Sequence, residues 1–149
     1  MRVDPALLLG LELGEAVVVR NIGGRVTPDL LQSLALLGMI SRADGIAPSG
    51  DWNLVVLHHN DCGITRLTGF PEPLAAYLGV PEEELEAKAV TDPRASVAVD
   101  VAALKRVPGL PANWIVSGLV YDVTTGWIEQ VVAPARLRDS EPPAAGSIS

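Results

Sequence analysis

The stretch LVVLHHNDCG at residues 54–63 decides both the fold and the candidate site of this chain. A short apolar run ends abruptly in two histidines, an aspartate and the only cysteine of the sequence. This pattern predicts a buried strand whose carboxyl end carries imidazole and thiol groups. Because ligands of open α/β sheets bind in the crevice beyond the strand ends, we expect His59 and Cys62 to share a site there. Three residues apart across a turn, both side chains can reach one zinc ion, but they supply only two ligands.

The composition indicates one acidic domain with an aliphatic core. The 149 residues carry a net charge of −7, and 48% are hydrophobic although only 4% are aromatic. Such a length favours a single domain. Scattered basic residues in an acidic chain argue against nucleic-acid binding, which needs clustered Lys and Arg. The single cysteine leaves no internal disulfide and favours a cytoplasmic location. No stretch reaches the roughly 18 apolar residues of a membrane span, and Asp4 and Pro5 interrupt any signal peptide.

Two strands with a helix between them are expected in the first half of the chain. The run AVVVR at residues 16–20 has the composition of a strand buried on both faces. After a turn at residues 21–24, the sequence TPD at residues 27–29 combines an N-cap, a proline at the first helical position and an acid near the positive end of the helix dipole. Glycines and a proline in residues 41–53 predict a loop before the strand at residues 54–57.

The second half is expected to complete a parallel sheet and add an antiparallel edge. The remaining predicted elements are short helices at residues 71–78 and 81–88, a helix that opens at Asp92-Pro93, a strand at residues 114–122 and its hairpin partner at residues 127–132. From Pro134 onward the composition shifts to Pro, Ala, Ser and charge. We therefore expect a domain at residues 1–133 and a disordered tail at residues 134–149.

Three segments, taken together, resemble the β-class carbonic anhydrase family. They are VRNIGG at residues 19–24 with the helix start that follows, LHHNDCG at residues 57–63, and GLVYDVTTG at residues 118–126. The resemblance runs from Arg2 to about Val132. It implies an α/β fold with a mostly parallel sheet, flanking helices and an antiparallel edge strand. It also implies homodimers or larger homo-oligomers, and a zinc-bound hydroxide that hydrates carbon dioxide to bicarbonate.

The same resemblance implies an incomplete zinc site in this chain. Members of the family hold zinc with the cysteine of a Cys-x-Asp-x-Arg motif and with a later His-x-x-Cys pair. His59 and Cys62 match the later pair, and Arg2 matches the arginine by its spacing, as a catalytic residue that would hold the aspartate. The missing Cys and Asp would precede Met1, and the central first strand of the sheet would be absent with them. The remaining residues implied for the substrate pocket are Asn21, Gly23, Gly24 and Gly63.

Two hypotheses explain why the Cys and Asp of the first motif are missing. Met1 is an internal methionine of a longer reading frame, or the chain is a truncation. In either case we expect weak zinc binding and little or no hydration of carbon dioxide by residues 1–149 alone. The strands at residues 16–20 and 54–57 would also lose their shared neighbour, so that the sheet rearranges, recruits a partner strand or stays poorly ordered.

Other interpretations stay open at this point. The chain could be a non-catalytic relative used for binding or assembly, a hydrolase of carbon disulfide or carbonyl sulfide, or an anion- or nucleotide-binding module at the Gly23-Gly24 turn. Cys62 could be a small buried side chain, the common role of a free cysteine. His58 is expected to pack or form a hydrogen bond, although His58, Asp61 or another subunit could also supply a further ligand.

Overall fold

A computed structural model describes residues 3–45 and 52–139 of the chain. In chain order, its helices and strands are α1 (Pro5–Leu8), α2 (Pro28–Ala43), β1 (Asn53–His59), α3 (Pro71–Leu78), α4 (Pro93–Lys105), β2 (Ile115–Tyr121) and β3 (Ile128–Arg136). Short 3-10 helices lie between them at Ile22–Gly24, Gly63–Gly69, Glu82–Glu84 and Glu86–Lys88. Within the described ranges, no helix is long and apolar enough to cross a membrane.

The three strands form one mixed sheet in the order β1-β2-β3. β1 and β2 run parallel from the pair Asn53 and Ile115 to the pair His59 and Tyr121, whereas β3 is antiparallel to β2. The expected α/β fold with flanking helices and an antiparallel edge strand is therefore confirmed. β1 is longer than the predicted residues 54–57, because the two histidines continue its pairing with β2.

Side-chain caps set the starts of the two long helices. The carboxylate of Asp92 accepts hydrogen bonds from the N–H groups of Arg94 and Ala95, at 3.1 and 3.2 Å, and Pro93 follows at the first helical position. The hydroxyl of Thr27 accepts from the N–H of Leu30 at 3.2 Å. Both caps satisfy donors that an α-helix leaves unpaired at its start, as the sequence predicted.

The main core lies between α4 and β2. Val97 of α4 and Val116 of β2 are completely buried. Gly118 makes this close approach possible, because a Cβ atom at residue 118 would collide with Val97 Cγ1. A second cluster holds the 63–69 segment against α3, and its buried members are Ile64, Leu74, Leu78 and Val90. This second cluster supports the loop that follows β1.

The prediction of a sheet strand at residues 16–20 is wrong. The segment has no regular secondary structure, and it pairs with no strand of the described chain. Val17, Val18 and Val19 are 62%, 41% and 46% exposed. A strand is stabilised by its pairing with neighbours, and β1 pairs only with β2 among the described residues. Among the described residues, no strand pairs with both residues 16–20 and β1. This agrees with the expectation that their shared neighbour is missing.

Two further elements differ from the sequence expectations. Residues 81–88 form two 3-10 turns instead of one helix, because apart from Leu85 and Lys88 the segment is exposed and buries too little apolar surface to hold a regular helix. α2 extends to Ala43, into the predicted loop, of which residues 46–51 lie outside the described residues.

The tail prediction is wrong for residues 134–139. β3 continues to Arg136, and the N–H of the buried Leu137 donates to the carbonyl of Trp114 at 2.8 Å. Pro134 is tolerated there because β3 is an edge strand. Residues 140–149 of the expected tail lie outside the described residues.

The contact of Gly118 with α4 predicts a large effect of one methyl group. Gly118→Ala should lower the free energy of unfolding by about 1–3 kcal/mol, since α4 has to move away from β2. Gly109→Ala is the matched control, because a Cβ at residue 109 meets no atom within 4 Å. Urea denaturation of both variants measures the difference. Equal losses in the two variants would contradict this packing.

Candidate metal centre

The predicted site residues surround one cleft at the carboxyl end of β1. The cleft has a volume of about 290 Å³, and its lining includes His59, Cys62, Gly63, Asn21, Gly23 and Gly24. Arg2 lies outside the described residues, while its neighbour Val3 lines the cleft. The fold therefore brings the candidate residues of the described chain together, and their chemical roles stay predictions.

Asn60 orients the imidazole of His59. The Nδ1 atom of the half-buried His59 lies 2.7 Å from the carbonyl oxygen of Asn60. A carbonyl oxygen can only accept a hydrogen bond, so Nδ1 carries the proton and, in the neutral ring, the lone pair is on Nε2. Metal-binding histidines commonly have this arrangement, in which a hydrogen bond at one nitrogen orients the other.

Asn60 itself is tied to the end of β2. Its N–H donates to the carbonyl of Tyr121 at 3.2 Å, and its side-chain oxygen accepts from the N–H of Val123 at 2.9 Å. The pKa of the exposed Asp122 carboxyl is lowered by hydrogen bonds from the N–H of Thr124, the side chain of Asn60 and the N–H of Thr125. The hydrogen bonds from Asn60 to Tyr121 and Val123 were not predicted from the sequence, although an asparagine directly after a strand is a typical residue for such turn hydrogen bonds.

Cys62 faces the same cleft because the chain reverses at Asp61. Asp61 has a left-handed backbone with φ 48°, which is uncommon for a residue other than glycine. Cys62 is a half-buried free thiol, and its carbonyl oxygen accepts from the N–H and the hydroxyl of Thr65 at 3.2 and 2.9 Å. These bonds hold Cys62 at the start of the 63–69 segment.

The residues present do not fit a complete zinc site. Among residues 3–45 and 52–139, no three side chains of the types His, Cys, Asp and Glu come close enough to hold one metal ion. Protein zinc sites use three or four such ligands. His59 and Cys62 therefore form at most half of a ligand set, and Asp61 does not complete it in this conformation.

His58 points away from the cleft and into the core. It is almost fully buried, with Nδ1 2.8 Å from the hydroxyl oxygen of Ser96 and Nε2 2.8 Å from the carbonyl oxygen of Gly24. The same Nε2 lies 3.3 Å from Oδ2 of Asp100. The prediction that His58 packs or forms a hydrogen bond is confirmed.

Asp100 is the centre of a buried network beneath the site. Its carboxylate accepts from Arg25 Nε at 2.8 Å, from Arg25 Nη2 at 3.0 Å and from the N–H of Val26 at 3.0 Å. Burial alone would raise the pKa of Asp100, but the hydrogen bonds from His58 and Arg25 and the charge of Arg25 outweigh it and lower the pKa below 3.8. The sequence carried a signal for this residue: Asp100 falls on the same helical face as Val97, Val101 and Leu104.

The turn at residues 21–24 packs directly on the end of β1. The side chain of Asn21 donates to the carbonyl of Arg25 and accepts from its N–H, both at 2.8 Å. Gly24 has φ 62°, and a Cβ atom there would lie 2.7 Å from the carbonyl oxygen of Leu57. The N–H of Gly24 donates to the carbonyl of Asn21 at 3.2 Å. Because the N–H of Gly24 and that of Arg25, directly after the turn, already have partners, the turn is a poor phosphate cradle.

Two arginines that sequence reasoning did not select also line the cleft. They are Arg20, directly before the turn, and Arg66 of the 63–69 segment. Arg20 Nη2 donates to the carbonyl of Val3 at 2.5 Å, so it holds the start of the described chain beside the cleft. Cationic side chains favour a small anion in this cleft.

The Asp100 network predicts a specific loss of stability in acid. A carboxyl whose folded-state pKa is depressed adds stability above its unfolded pKa, and that stability is lost as the pH falls through the folded value. Asp100→Asn should lower the free energy of unfolding by about 3–5 kcal/mol at pH 7, because Arg25 becomes a buried unpaired charge. The variant should also lose less stability than the parent between about pH 4 and pH 2.

Urea denaturation at several pH values tests this, with Asp44→Asn as the control on an exposed carboxylate. Parallel pH profiles for the parent and Asp100→Asn would rule out the network as an acid-sensitive contact.

The hydrogen bond to Asn60 predicts the tautomer of His59. Long-range nitrogen–proton NMR spectra should show the neutral ring protonated at Nδ1. A neutral ring protonated at Nε2 would contradict the orientation, because Nδ1 would then have no proton to donate to the carbonyl of Asn60.

Comparisons with known proteins agree with the fold. No protein-family model matches the sequence. β-Carbonic anhydrase 1 of Mycobacterium tuberculosis is 31% identical over 138 residues, which are 87% of this chain and 76% of that protein. A carbon disulfide hydrolase of Saccharolobus solfataricus is 29% identical over 151 residues, covering 83% and 69% of the two chains.

A crystal structure of a carbonic anhydrase from Streptococcus mutans is also similar, with a TM-score of 0.62 and 37% identity over 87% of this chain and 75% of that one. Sequence and structure thus lead to the same group of proteins, and the chain belongs to the β-carbonic anhydrase family.

Proposed function

We propose that this chain carries the histidine–cysteine half of a zinc centre for the hydration of carbon dioxide to bicarbonate. The observation that carries the proposal is that His59 and Cys62 line one cleft while the bond to Asn60 leaves Nε2 of His59 available to a metal. Membership of the β-carbonic anhydrase family supplies the reaction. Arg20 and Arg66 in the same lining favour an anionic product such as bicarbonate.

The proposed zinc centre lacks part of its ligand set in this chain. Two protein ligands leave zinc with at least two open positions, so residues 1–149 alone should bind it weakly and hydrate carbon dioxide slowly or not at all. The remaining ligands would come from a segment encoded ahead of Met1 or from another subunit. In that complete state Arg2 would hold the aspartate of the missing motif, as the resemblance implies, and Gly63 would leave room for a bound anion.

Self-association and location belong to the same proposal. α2 exposes the large apolar side chains of Leu36, Met39 and Ile40. An apolar face of this kind is typical of a protein–protein contact, and we infer homodimers or larger homo-oligomers. A single cysteine is consistent with a cytoplasmic location.

A hydrolase of carbon disulfide or carbonyl sulfide is the second candidate. It is supported by the Saccharolobus solfataricus relative, which is almost as similar as the carbonic anhydrase relative. Parallel assays with the three substrates on a zinc-loaded protein separate the two activities. A protein that binds zinc tightly but converts none of them would instead be a non-catalytic relative.

Metal content is the direct test of the half-site. After dialysis against buffer, elemental analysis of the 149-residue chain should give well under one zinc per chain, and stopped-flow assays should show little hydration. With excess cobalt(II), a thiolate-to-metal absorption band should appear and be lost in Cys62→Ser and His59→Ala. Asp61→Asn is the control and should keep the band.

Stoichiometric zinc together with fast hydration of carbon dioxide by residues 1–149 would refute the proposal that the zinc site of this chain is incomplete. A chain extended by the upstream codons should reach one zinc per chain if those codons encode Cys-x-Asp in frame. Upstream codons without that motif would refute the longer reading frame.

A further inference from the structure

We propose that Asp122, acting through the side chain of Asn60, is a positioning residue for the imidazole of His59. It keeps the carbonyl oxygen of Asn60 against Nδ1 of the ring, so that the proton stays on Nδ1 and the lone pair on Nε2. The contact itself does not require a metal. Its consequence for metal affinity rests on the proposed function, in which Nε2 of His59 binds zinc.

The side chain of Asn60 is held at both of its polar atoms by the segment that follows β2. The N–H of Val123 lies 2.9 Å from one of them, and because an N–H group only donates, that atom is the amide oxygen. The amide nitrogen is left to donate, and the side chain hydrogen-bonds to the carboxylate of Asp122. The backbone N–H of Asn60 adds a third bond, to the carbonyl of Tyr121 at 3.2 Å.

The turn that carries Asp122 is itself closed by hydrogen bonds. Oδ1 of Asp122 accepts from the N–H groups of Thr124 and Thr125 at 2.8 and 3.2 Å, which leaves Oδ2 for the amide of residue 60. The N–H of Asp122 donates to the carbonyl of Trp127 at 2.9 Å, and its carbonyl accepts from the N–H of Gly126 at 2.8 Å. The carboxylate is therefore a fixed acceptor at the start of this turn.

The anchored Asn60 maintains a backbone conformation that is otherwise disfavoured. Asp61 has φ 48°, and a left-handed backbone costs energy for a residue with a Cβ atom. Rotation about this bond moves Asn60 relative to Cys62, whose carbonyl is held by Thr65. With both neighbours anchored, Asp61 stays left-handed. Without the side-chain bonds of Asn60, we expect Asp61 to relax and the carbonyl of Asn60 to leave Nδ1 of His59, which lies 2.7 Å away.

This contact matters for metal binding because it selects the form of the neutral ring. A histidine binds a metal through a nitrogen that carries no proton, and a hydrogen bond at the other nitrogen decides which one that is. The Asn60–Asp122 hydrogen bond therefore sets the fraction of His59 rings that are ready to bind through Nε2.

NMR of the metal-free 149-residue chain tests the positioning role directly. In long-range nitrogen–proton spectra of the neutral ring, Asn60→Ala and Asp122→Ala should show His59 protonated at Nδ1 in some molecules and at Nε2 in others, whereas the parent should show Nδ1 alone. Thr124→Ala is the matched control in the same turn, because it keeps the N–H that Asp122 binds. The signals of the buried His58 should stay as in the parent and show that each variant is folded.

An exchange of the two side chains separates positioning from a general loss of structure. Asn60→Asp places two carboxylates against each other and should release the ring of His59 as Asn60→Ala does. In Asn60→Asp/Asp122→Asn the donor and the acceptor are reversed, so that the hydrogen bond can form again while the N–H of Val123 and those of Thr124 and Thr125 keep an oxygen acceptor. This double variant should regain a ring protonated at Nδ1.

Cobalt(II) titration measures the consequence for the metal. The dissociation constant, followed by the thiolate-to-metal absorption band, should rise about tenfold in Asn60→Ala. It should rise in the same direction in Asp122→Ala and stay unchanged in Thr124→Ala. A parent chain without any band would overturn the proposed function, whereas the spectra of the metal-free chain would still decide whether Asp122 positions the ring.

Three results would overturn the positioning role. The first is a ring protonated only at Nδ1 in both Asn60→Ala and Asp122→Ala, with the signals of His58 unchanged. The second is a change in Asn60→Ala alone, since Asp122 would then have no part in it. The third is an exchanged double variant whose ring behaves like that of Asn60→Asp.

Discussion

The carboxylate of Asp100 connects the three segments on which the site depends. From α4 it binds the guanidinium of Arg25 and the N–H of Val26, which follow the 21–24 turn, and it lies against the ring of His58 in β1. These contacts are buried, where an unpaired charge would be strongly destabilising. The network therefore fixes the turn and the end of β1 relative to each other.

The position of His59 follows from that constraint. Side chains of successive strand residues point to opposite faces, so an inward His58, held by Ser96 and Gly24, requires an outward His59. Asn60 then sets the orientation of the His59 ring, and the left-handed Asp61 returns the chain so that Cys62 meets the same cleft. The buried His58 thus has a structural role, whereas the half-buried His59 faces the cleft.

Incompleteness is visible at the same strand in two ways. Within residues 3–45 and 52–139, β1 pairs only with β2 and its other side faces an aliphatic cleft, and the end of β1 carries two candidate metal ligands instead of three or four. The two clefts share Pro5, Val19, Asn21, Gly24 and Leu57 in their linings, so they are continuous along the same side of the strand. The aliphatic cleft beside β1 and the cleft that holds His59 and Cys62 are therefore neighbours in space.

Much of the fold and of the candidate site could be predicted from interactions between residues close together in the sequence. The caps at Asp92-Pro93 and Thr27-Pro28 act within one helical turn, so they can be read from neighbouring residues. The apolar run before His58 predicted β1 without knowledge of the strand with which it pairs. The strand at residues 16–20 was mispredicted because a β-branched run reports a preference for extended structure, whereas a sheet strand also needs a neighbour. The Arg25–Asp100 pair joins residues 75 positions apart, so spacing could suggest that Asp100 is buried but could not name its partner.

X-ray absorption at the zinc edge is the most direct test of the central claim, which is that His59 and Cys62 bind one metal ion together. On the chain loaded with one equivalent of zinc, we expect one sulfur neighbour at about 2.3 Å and one imidazole nitrogen at about 2.0 Å, with the remaining positions filled by oxygen. Loss of the sulfur neighbour is expected in Cys62→Ser. A spectrum without sulfur in the parent chain would contradict the account.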